Sequence, residues 1–558
     1  MKMRVFFTCL LVLGIFAIEL SPRASADTGN NIKPPSDIPV IIDSSSNSSD
    51  GGPIISRPVN ALEPVVNEIT PYVAYGDREM RASWIATVKN INMPAGMDET
   101  AFRLWAEESI LFLKNNGLNT AVFQVRPTGD ALYRSSLVPW SSFITDKAQG
   151  TDPGYDPLGI MVETAHKHGI ELHAWLNPYR ITMPSDSTDS LSPTNIAAKN
   201  PSYLVQYGGQ YYLNPGIPEV SAHFVEVVKE IVTNYDVDAI HMDDYFYPYP
   251  VSGQEYNDSL TFSQYGADYD NIGDWRRDNV TRLVRDVYNG IKSIKPYVQF
   301  GISPFGVWRN KSSDPTGSDT TAGHECYDSL YADTRLWIKE GIIDYIAPQI
   351  YWSTEFKAAD YDILADWWNN EITAYANTRP VKLYFGLADY KVNNDNDVKW
   401  GDVNQISAQI DINRAKPLVF GQMHYSIASM KENALGHVDN LRVGQYNSKK
   451  LTPEVYTQNF QKPLDILSLT ISDKTSSSFN INTPDPNTRK FVIYRFDGRI
   501  SGNVDENTEI YDIIYKSGNA TSYTDNGAVS GAAYTYEVKP VSSFGIVNDN
   551  VKIITLTR

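Results

Sequence analysis

The sequence predicts an α/β protein built on a (β/α)8 TIM-type barrel, followed by a small all-β sandwich. Three observations predict it. Between about residues 78 and 430, eight short apolar runs alternate with longer segments of helical spacing. The glycine-rich phosphate turn that an open dinucleotide-binding sheet carries after its first strand is missing. Beyond residue 463 the pattern changes to short alternating stretches split by turn-rich segments.

Taken in chain order, the first segment is a secretion signal. Lys2 and Arg4 precede an apolar run, and Ala24-Ser25-Ala26 closes it with a small-x-small site, so residues 1–26 read as a signal peptide. The run is too short to span a bilayer comfortably, and no membrane association is expected after cleavage. Residues 27–72 are rich in Ser, Asn, Pro, Asp and Gly and read as a flexible linker. The barrel is expected over 73–450. Its strands fall at 80–88, 120–125, 171–176, 239–242, 298–302, 345–350, 383–387 and 418–423. Helical spacing marks 99–115, 158–168, 219–235, 274–294, 328–340 and 361–377. The sandwich occupies 463–558, with alternation such as Phe491-Val492-Ile493-Tyr494-Arg495. Its pattern resembles a fibronectin type III module. No acid cluster of catalytic spacing stands out in it, so it is expected to be dispensable for turnover.

The formal net charge of −18 excludes nucleic acid as an expected partner, because phosphate contacts need clustered Lys and Arg. Only Cys9 and Cys326 occur, and Cys9 leaves with the signal, so no internal disulfide is expected.

Chemistry in a parallel barrel gathers at the C-terminal ends of the strands, on the side chains that alternate inward. On the fourth strand Ile240 and Met242 suit the helix layer, which leaves His241, Asp243 and Tyr245 for the mouth. The third strand repeats the pattern with His173, Trp175 and Asn177, followed by Arg180. The second offers Gln124 and Arg126, the sixth Gln349 and Tyr351, and the eighth Gln422 and His424. Trp84, Tyr179, Tyr247, Phe305, Trp308, Trp352, Tyr390 and Tyr425 add rings near the same ends. Aromatic faces stack on the C–H faces of sugars while polar groups bond the hydroxyls, so the expected partner is a polysaccharide.

Glycoside cleavage ordinarily uses two carboxyl groups. Asp243 is the first candidate. Asp244 points the other way by strict alternation, and Glu355, Asp389 and Asp130 compete for the second role. No cofactor is expected. No tight His/Asp metal motif occurs, although His173, His241 and Asp243 could converge on an ion, which keeps a metal-dependent deacetylase as an alternative. A barrel that binds carbohydrate without cleaving it is the other alternative, because it needs no second acid.

These segments resemble the glycosyl hydrolase-like 10 family. The resemblance rests on Arg78–Trp84, on Gln124-Val125-Arg126-Pro127-Thr128-Gly129-Asp130 and on His173-Ala174-Trp175-Leu176-Asn177-Pro178-Tyr179-Arg180. It extends through His241-Met242-Asp243-Asp244-Tyr245, Ser303-Pro304-Phe305-Gly306 and Ala347-Pro348-Gln349-Ile350-Tyr351-Trp352. It implies a (β/α)8 fold, a carboxylate after the fourth strand, and a bacterial cell-wall glycan as substrate, particularly peptidoglycan strands stripped of stem peptides. The fourth-strand motif also loosely resembles chitinase-type barrels, but Tyr245 stands where their acid would be.

Overall fold

The eight apolar runs form eight short parallel strands. They are β1 (Met80–Ile85), β2 (Thr120–Arg126), β3 (Glu171–Leu176), β4 (Ala239–Met242), β5 (Gln299–Ile302), β6 (Tyr345–Ile346), β7 (Lys382–Leu387) and β8 (Val419–His424). Each pairs in parallel with its neighbours and β8 closes on β1, which makes a closed barrel. The structure is a computed structural model and describes residues 76–375, 380–456, 461–473, 475–499, 504 and 508–558. The expected signal peptide and linker lie outside the described residues.

The main helix that follows each strand packs outside the barrel: α1 (Glu99–Asn115), α2 (Pro157–Lys167), α3 (Pro218–Asn234), α4 (Ile272–Ile294), α5 (Thr334–Glu340), α6 (Tyr361–Tyr375), α7 (Gln405–Arg414) and α8 (His437–Val443). Their starts are chemically marked. Asp98, Asp156, Asn271 and Asp333 cap α1, α2, α4 and α5 by accepting a backbone N–H within the first turn. Sequence periodicity did not mark α7 or α8, which are short. The sixth strand is shorter than its apolar run because Pro348 has no N–H to give the ladder.

Two layers of core result. Met80, Ala82, Trp84, Val122, Trp175, Ala239, Tyr345, Tyr384, Phe420 and Met423 fill the barrel interior. The opposite alternation, including Phe123, Leu172, Ile240, Met242, Phe300 and Phe385, packs under the helices.

Alternation breaks at two bulges. The β2–β3 register shifts between Gln124 and Arg126. Gln124 lies beside inward-facing Trp175, but Arg126 lies beside outward-facing Leu176, so Val125 and Arg126 both face out. The β8–β7 register shifts between Val419 and Gln422. At its centre Gly421 takes φ +147, where a Cβ would stand 2.1 Å from the carbonyl oxygen of Met80. Phe420 and Met423 therefore face in, and Gln422 and His424 face out.

Among the described residues, seven further strands follow: β9 (Ser468–Asp473), β10 (Ser478–Asn482), β11 (Thr488–Asp497), β12 (Asp512–Tyr515), β13 (Ala520–Thr524), β14 (Ala533–Ser542) and β15 (Lys552–Thr557). They form a three-stranded sheet, β9-β10-β13, and a four-stranded sheet, β12-β11-β14-β15. Phe479, Ile481 and Tyr523 from one sheet pack against Phe491, Tyr536 and Val538 from the other. The module docks on the N-terminal end of the barrel. Lys490 pairs with Glu171 at 2.5 Å, and Arg489 with Asp238 at 2.8 Å and Asp236 at 2.8 Å. Tyr515 stacks on His166 with ring centroids 3.8 Å apart.

Candidate active site

At the end of β4 the chain presents two successive carboxyls with different surroundings. Asp243 accepts from Asn177 Nδ2 at 2.7 Å on both oxygens, from Trp175 Nε1 at 3.0 Å and from the Tyr245 amide at 3.0 Å. Asp244 accepts from Gln349 Nε2 at 3.0 Å and from the Tyr249 hydroxyl. Both are 6% exposed. Burial raises both carboxyls, but they separate. At Asp243 the Arg180 guanidinium and the three N–H donors oppose the burial. Asp244 is pushed up to about 6, first by burial and then by the charge of Asp243. The N–H donors and the Arg180 charge favour the anion at Asp243, whereas burial and the neighbouring charge favour the neutral acid at Asp244.

Around the pair stands a braced rim. Arg180 donates to Pro127 O and to Asn177 Oδ1, each at 3.0 Å, and lies 5.0 Å over the Tyr245 ring. Gln124 donates to the same Asn177 oxygen at 2.7 Å. Gln349 is held a second time by Ser303 O at 2.8 Å. Tyr245, Tyr249, Phe305, Tyr351, Trp352, Tyr390 and Tyr425 are all part-exposed. They meet edge-on or tilted, as in Phe305–Trp352 at 5.6 Å and Tyr351–Tyr425 at 6.1 Å. This is a set of apolar ring surfaces surrounding two buried carboxyls.

Residues 79–402 match the family model of the glycosyl hydrolase-like 10 proteins. The chain belongs to that family. Glycosyl hydrolase YngK of Bacillus subtilis (strain 168) is 45% identical over 475 residues, covering 83% of this chain and 91% of that protein. Glycosyl hydrolase DigH of Escherichia coli (strain K12) is 41% identical over 364 residues, covering 61% of this chain and 81% of that protein. Among solved structures, the catalytic domain of a β-amylase from Paenibacillus polymyxa superposes with a TM-score of 0.43 at 12% identity, over 67% of this chain and all of that one.

This glycosyl hydrolase-like 10 member is a glycosidase, and its geometry sorts the residues expected at the mouth. Asp243, Asp244, Trp175, Asn177, Arg180, Tyr245 and Gln349 are brought together. Gln124, Phe305, Tyr351, Trp352, Tyr390 and Tyr425 stand in the rim. The remainder are elsewhere.

His173 and His241 face the interior as expected, but below the mouth. The Nδ1 of each lies within hydrogen-bond distance of the Tyr345 hydroxyl, at 3.0 Å. His241 Nε2 lies 3.2 Å from Trp84 Nε1 and 3.0 Å from Ser303 Oγ. These ring nitrogens serve an internal network, and His173, His241 and Asp243 do not converge on one ion.

The β2 bulge turns Arg126 outward, where its guanidinium lies 5.2 Å from the Phe224 ring. Asp130 is 1% exposed in the loop beyond β2 and bonds Gln149 at 3.3 Å. The β8 bulge turns His424 outward, to Asp389 at 3.0 Å and Tyr446 at 2.7 Å. His437 bonds the same Asp389 at 3.2 Å. Burial would raise Asp389, but the two histidines hold it down at about 2. A carboxyl so fixed has no proton to give. Glu355 is 75% exposed, pairs with Lys399 at 2.9 Å and shares no partner with Asp243 or Asp244 among the described residues. Tyr179, Tyr247 and Trp308 belong to the core under the helices.

Sequence reasoning missed Tyr249 and Tyr345. Tyr249 continues the spacing of Tyr245 and Tyr247, a signal that was available. Tyr345 sits at the start of its strand, where only the closed barrel brings it between two histidines.

Proposed function

We propose that this glycosidase cleaves a GlcNAc-containing bacterial cell-wall glycan outside the cytoplasm, specifically peptidoglycan strands lacking stem peptides. The observation that carries the reading is the Asp243–Asp244 pair, two buried adjacent carboxyls with separate hydrogen-bond partners, inside a rim of part-exposed aromatic rings. Rings of this kind stack on a linear chain of sugars, while Gln349 and the Asp243–Asn177–Arg180 group sit where they bond its substituents. The signal-like segment at residues 1–26 supports export. The fibronectin type III-like module at 463–558 serves as a rigid foot under the barrel rather than a part of the site.

The test uses protein lacking residues 1–26 and peptidoglycan pretreated with an amidase. Release of reducing ends is expected from the denuded strands and little from intact peptidoglycan. Asp243→Asn and Asp244→Asn should each lower turnover by roughly 10³-fold, about 4 kcal/mol of barrier. Activity on starch or cellulose with none on denuded strands would overturn the substrate. Retention of turnover within tenfold in both variants would overturn the roles.

A further inference from the structure

The carboxyls of this site are arranged for a displacement in which neither of them attacks the sugar. In the ordinary two-carboxyl mechanisms the groups stand on opposite sides of the scissile bond, roughly 5–5.5 Å apart for retention and 6.5–9.5 Å for inversion. Asp243 and Asp244 are successive residues at one strand end, Asp243 held by Trp175 and Asn177 and Asp244 by Gln349 and Tyr249. The charge of Asp243 also acts directly on Asp244. The other acids weighed for the second role are spent elsewhere: Asp389 on two histidines, Glu355 on Lys399, and Asp130 on its own buried loop.

Asp243 itself is poorly placed to be a nucleophile. One oxygen accepts from Asn177 and the Tyr245 amide, the other from Asn177 and Trp175. Attack on an anomeric carbon needs a free lone pair, and these are engaged. What the arrangement does supply is a fixed negative charge. The Asn177 contact is shared between the two oxygens, so one of them can exchange it for an N–H of the substrate.

We infer that the nucleophile is the substrate's own 2-acetamido group, with Asp244 as general acid and Asp243 as the anion that stabilises the charged intermediate. This rests on the proposed N-acetylated substrate and makes it a requirement of the mechanism. The acetamido carbonyl oxygen forms a bond to C1 as the C1–O glycosidic bond breaks. The Asp244 proton goes to the leaving oxygen, and Asp243 accepts the acetamido N–H and balances the oxazolinium. Water then adds to C1, gives its proton to Asp244, and the C1–O bond to the acetamido oxygen opens. C1 is inverted twice, so the product keeps its configuration. The first step needs the acetamido group trans to the leaving oxygen, so the bond cleaved is that of a β-linked 2-acetamido sugar.

Tyr425 is the residue placed to hold the acetamido oxygen. It is part-exposed, its hydroxyl makes no hydrogen bond among the described residues, and Asp243 exerts the largest charge effect on it. Trp84 and Tyr351 support its ring at 6.0 and 6.1 Å.

The test uses the chain lacking residues 1–26 and denuded strands in three forms: native, chemically N-deacetylated, and re-N-acetylated with acetic anhydride. Early product is read by proton NMR. Retention is expected, with turnover of deacetylated strands lowered by roughly 10²-fold or more and restored by re-acetylation. Intact mass under turnover should show no glycosyl adduct on the protein. Tyr425→Phe should lower kcat by roughly tenfold, with a smaller effect on the residual turnover of deacetylated strands. Inverted product, an adduct on Asp243 or Asp244, or equal cleavage of deacetylated strands would overturn the mechanism while leaving the substrate proposal standing. Cleavage only of glucans without N-acetyl groups would overturn both.

Discussion

The indole N–H of Trp84 points at Nε2 of His241 across 3.2 Å, and that contact sets the protons along the barrel axis. An Nε2 that accepts has no hydrogen, so neutral His241 carries its proton on Nδ1 and donates it to Tyr345. The Tyr345 hydroxyl then donates to His173 Nδ1. His173 Nε2–H is left facing Glu171 at 3.5 Å, and Glu171 pairs with Lys490 of the sandwich. Burial keeps His241 well below the usual histidine range, as this neutral form requires. Tyr345→Phe removes the central hydroxyl and leaves two buried nitrogens unpaired. Stability should fall by about 1–3 kcal/mol in urea unfolding. A variant as stable as the parent would show that the axis is not a connected network.

Activity should fall as pH rises through about 6, because Asp244 must carry its proton to act and is pushed up to about 6. Asp243 contributes to that position, so Asp243→Asn should move the descending limb of its residual kcat/KM profile to lower pH. Stability follows the same sign. Asp244 is raised by folding, so its contribution is complete below the ordinary carboxyl range and is lost as pH rises through about 6. A descending limb that stays in place in Asp243→Asn would separate the two carboxyls.

Asp389 behaves oppositely. Its folded value of about 2 lies below the ordinary value, so its contribution is present above about 4 and lost as pH falls through about 2. Asp389→Asn should cost about 1–3 kcal/mol at neutral pH. The difference from the parent should shrink towards pH 2 in acid titrations followed by circular dichroism. A difference constant with pH would mean that the charge is not what the histidines hold.

The sandwich should matter to stability more than to turnover. Lys490→Met leaves Glu171 buried without its cation, and breaking such a pair costs about 3–5 kcal/mol. A lower melting temperature is expected, with kcat on soluble oligosaccharides within about twofold when measured well below it. Unchanged melting would show that the docked face is incidental.

Gly421→Ala tests the eighth-strand bulge. The new methyl would stand 2.1 Å from Met80 O at φ +147, and strain of this kind costs on the order of 1–3 kcal/mol or more. Poor soluble yield or a clear drop in unfolding midpoint is expected. Tolerance within about 0.5 kcal/mol would mean that the strand relaxes to regular alternation. His424 would then turn inward.

Apolar patterning alone specified the barrel and its strand ends and named Asp243 as the first carboxyl, but left the second open among Asp244, Glu355, Asp389 and Asp130. Apolar runs of strand length, alternating with helical spacing, have one economical way to bury both faces of a parallel sheet. The Trp175–Asn177 and Gln349–Tyr351 pairs were legible because regular alternation carries each of them to the mouth. Arg126 and His424 were misplaced because alternation has period two, and one extra residue reverses every side chain after it. Whether a strand bulges depends on its neighbours' register, which local sequence does not encode. Glu355, Asp389 and Asp130 could not be told from a catalytic acid by residue type. The distinction lies in partners distant in the chain: Lys399 for the first, His424 and His437 for the second, Gln149 for the third. Only the tertiary structure decided how the two adjacent carboxyls differ in their surroundings. That depends on Arg180 and three N–H donors reaching Asp243, while burial and the charge of Asp243 act on Asp244.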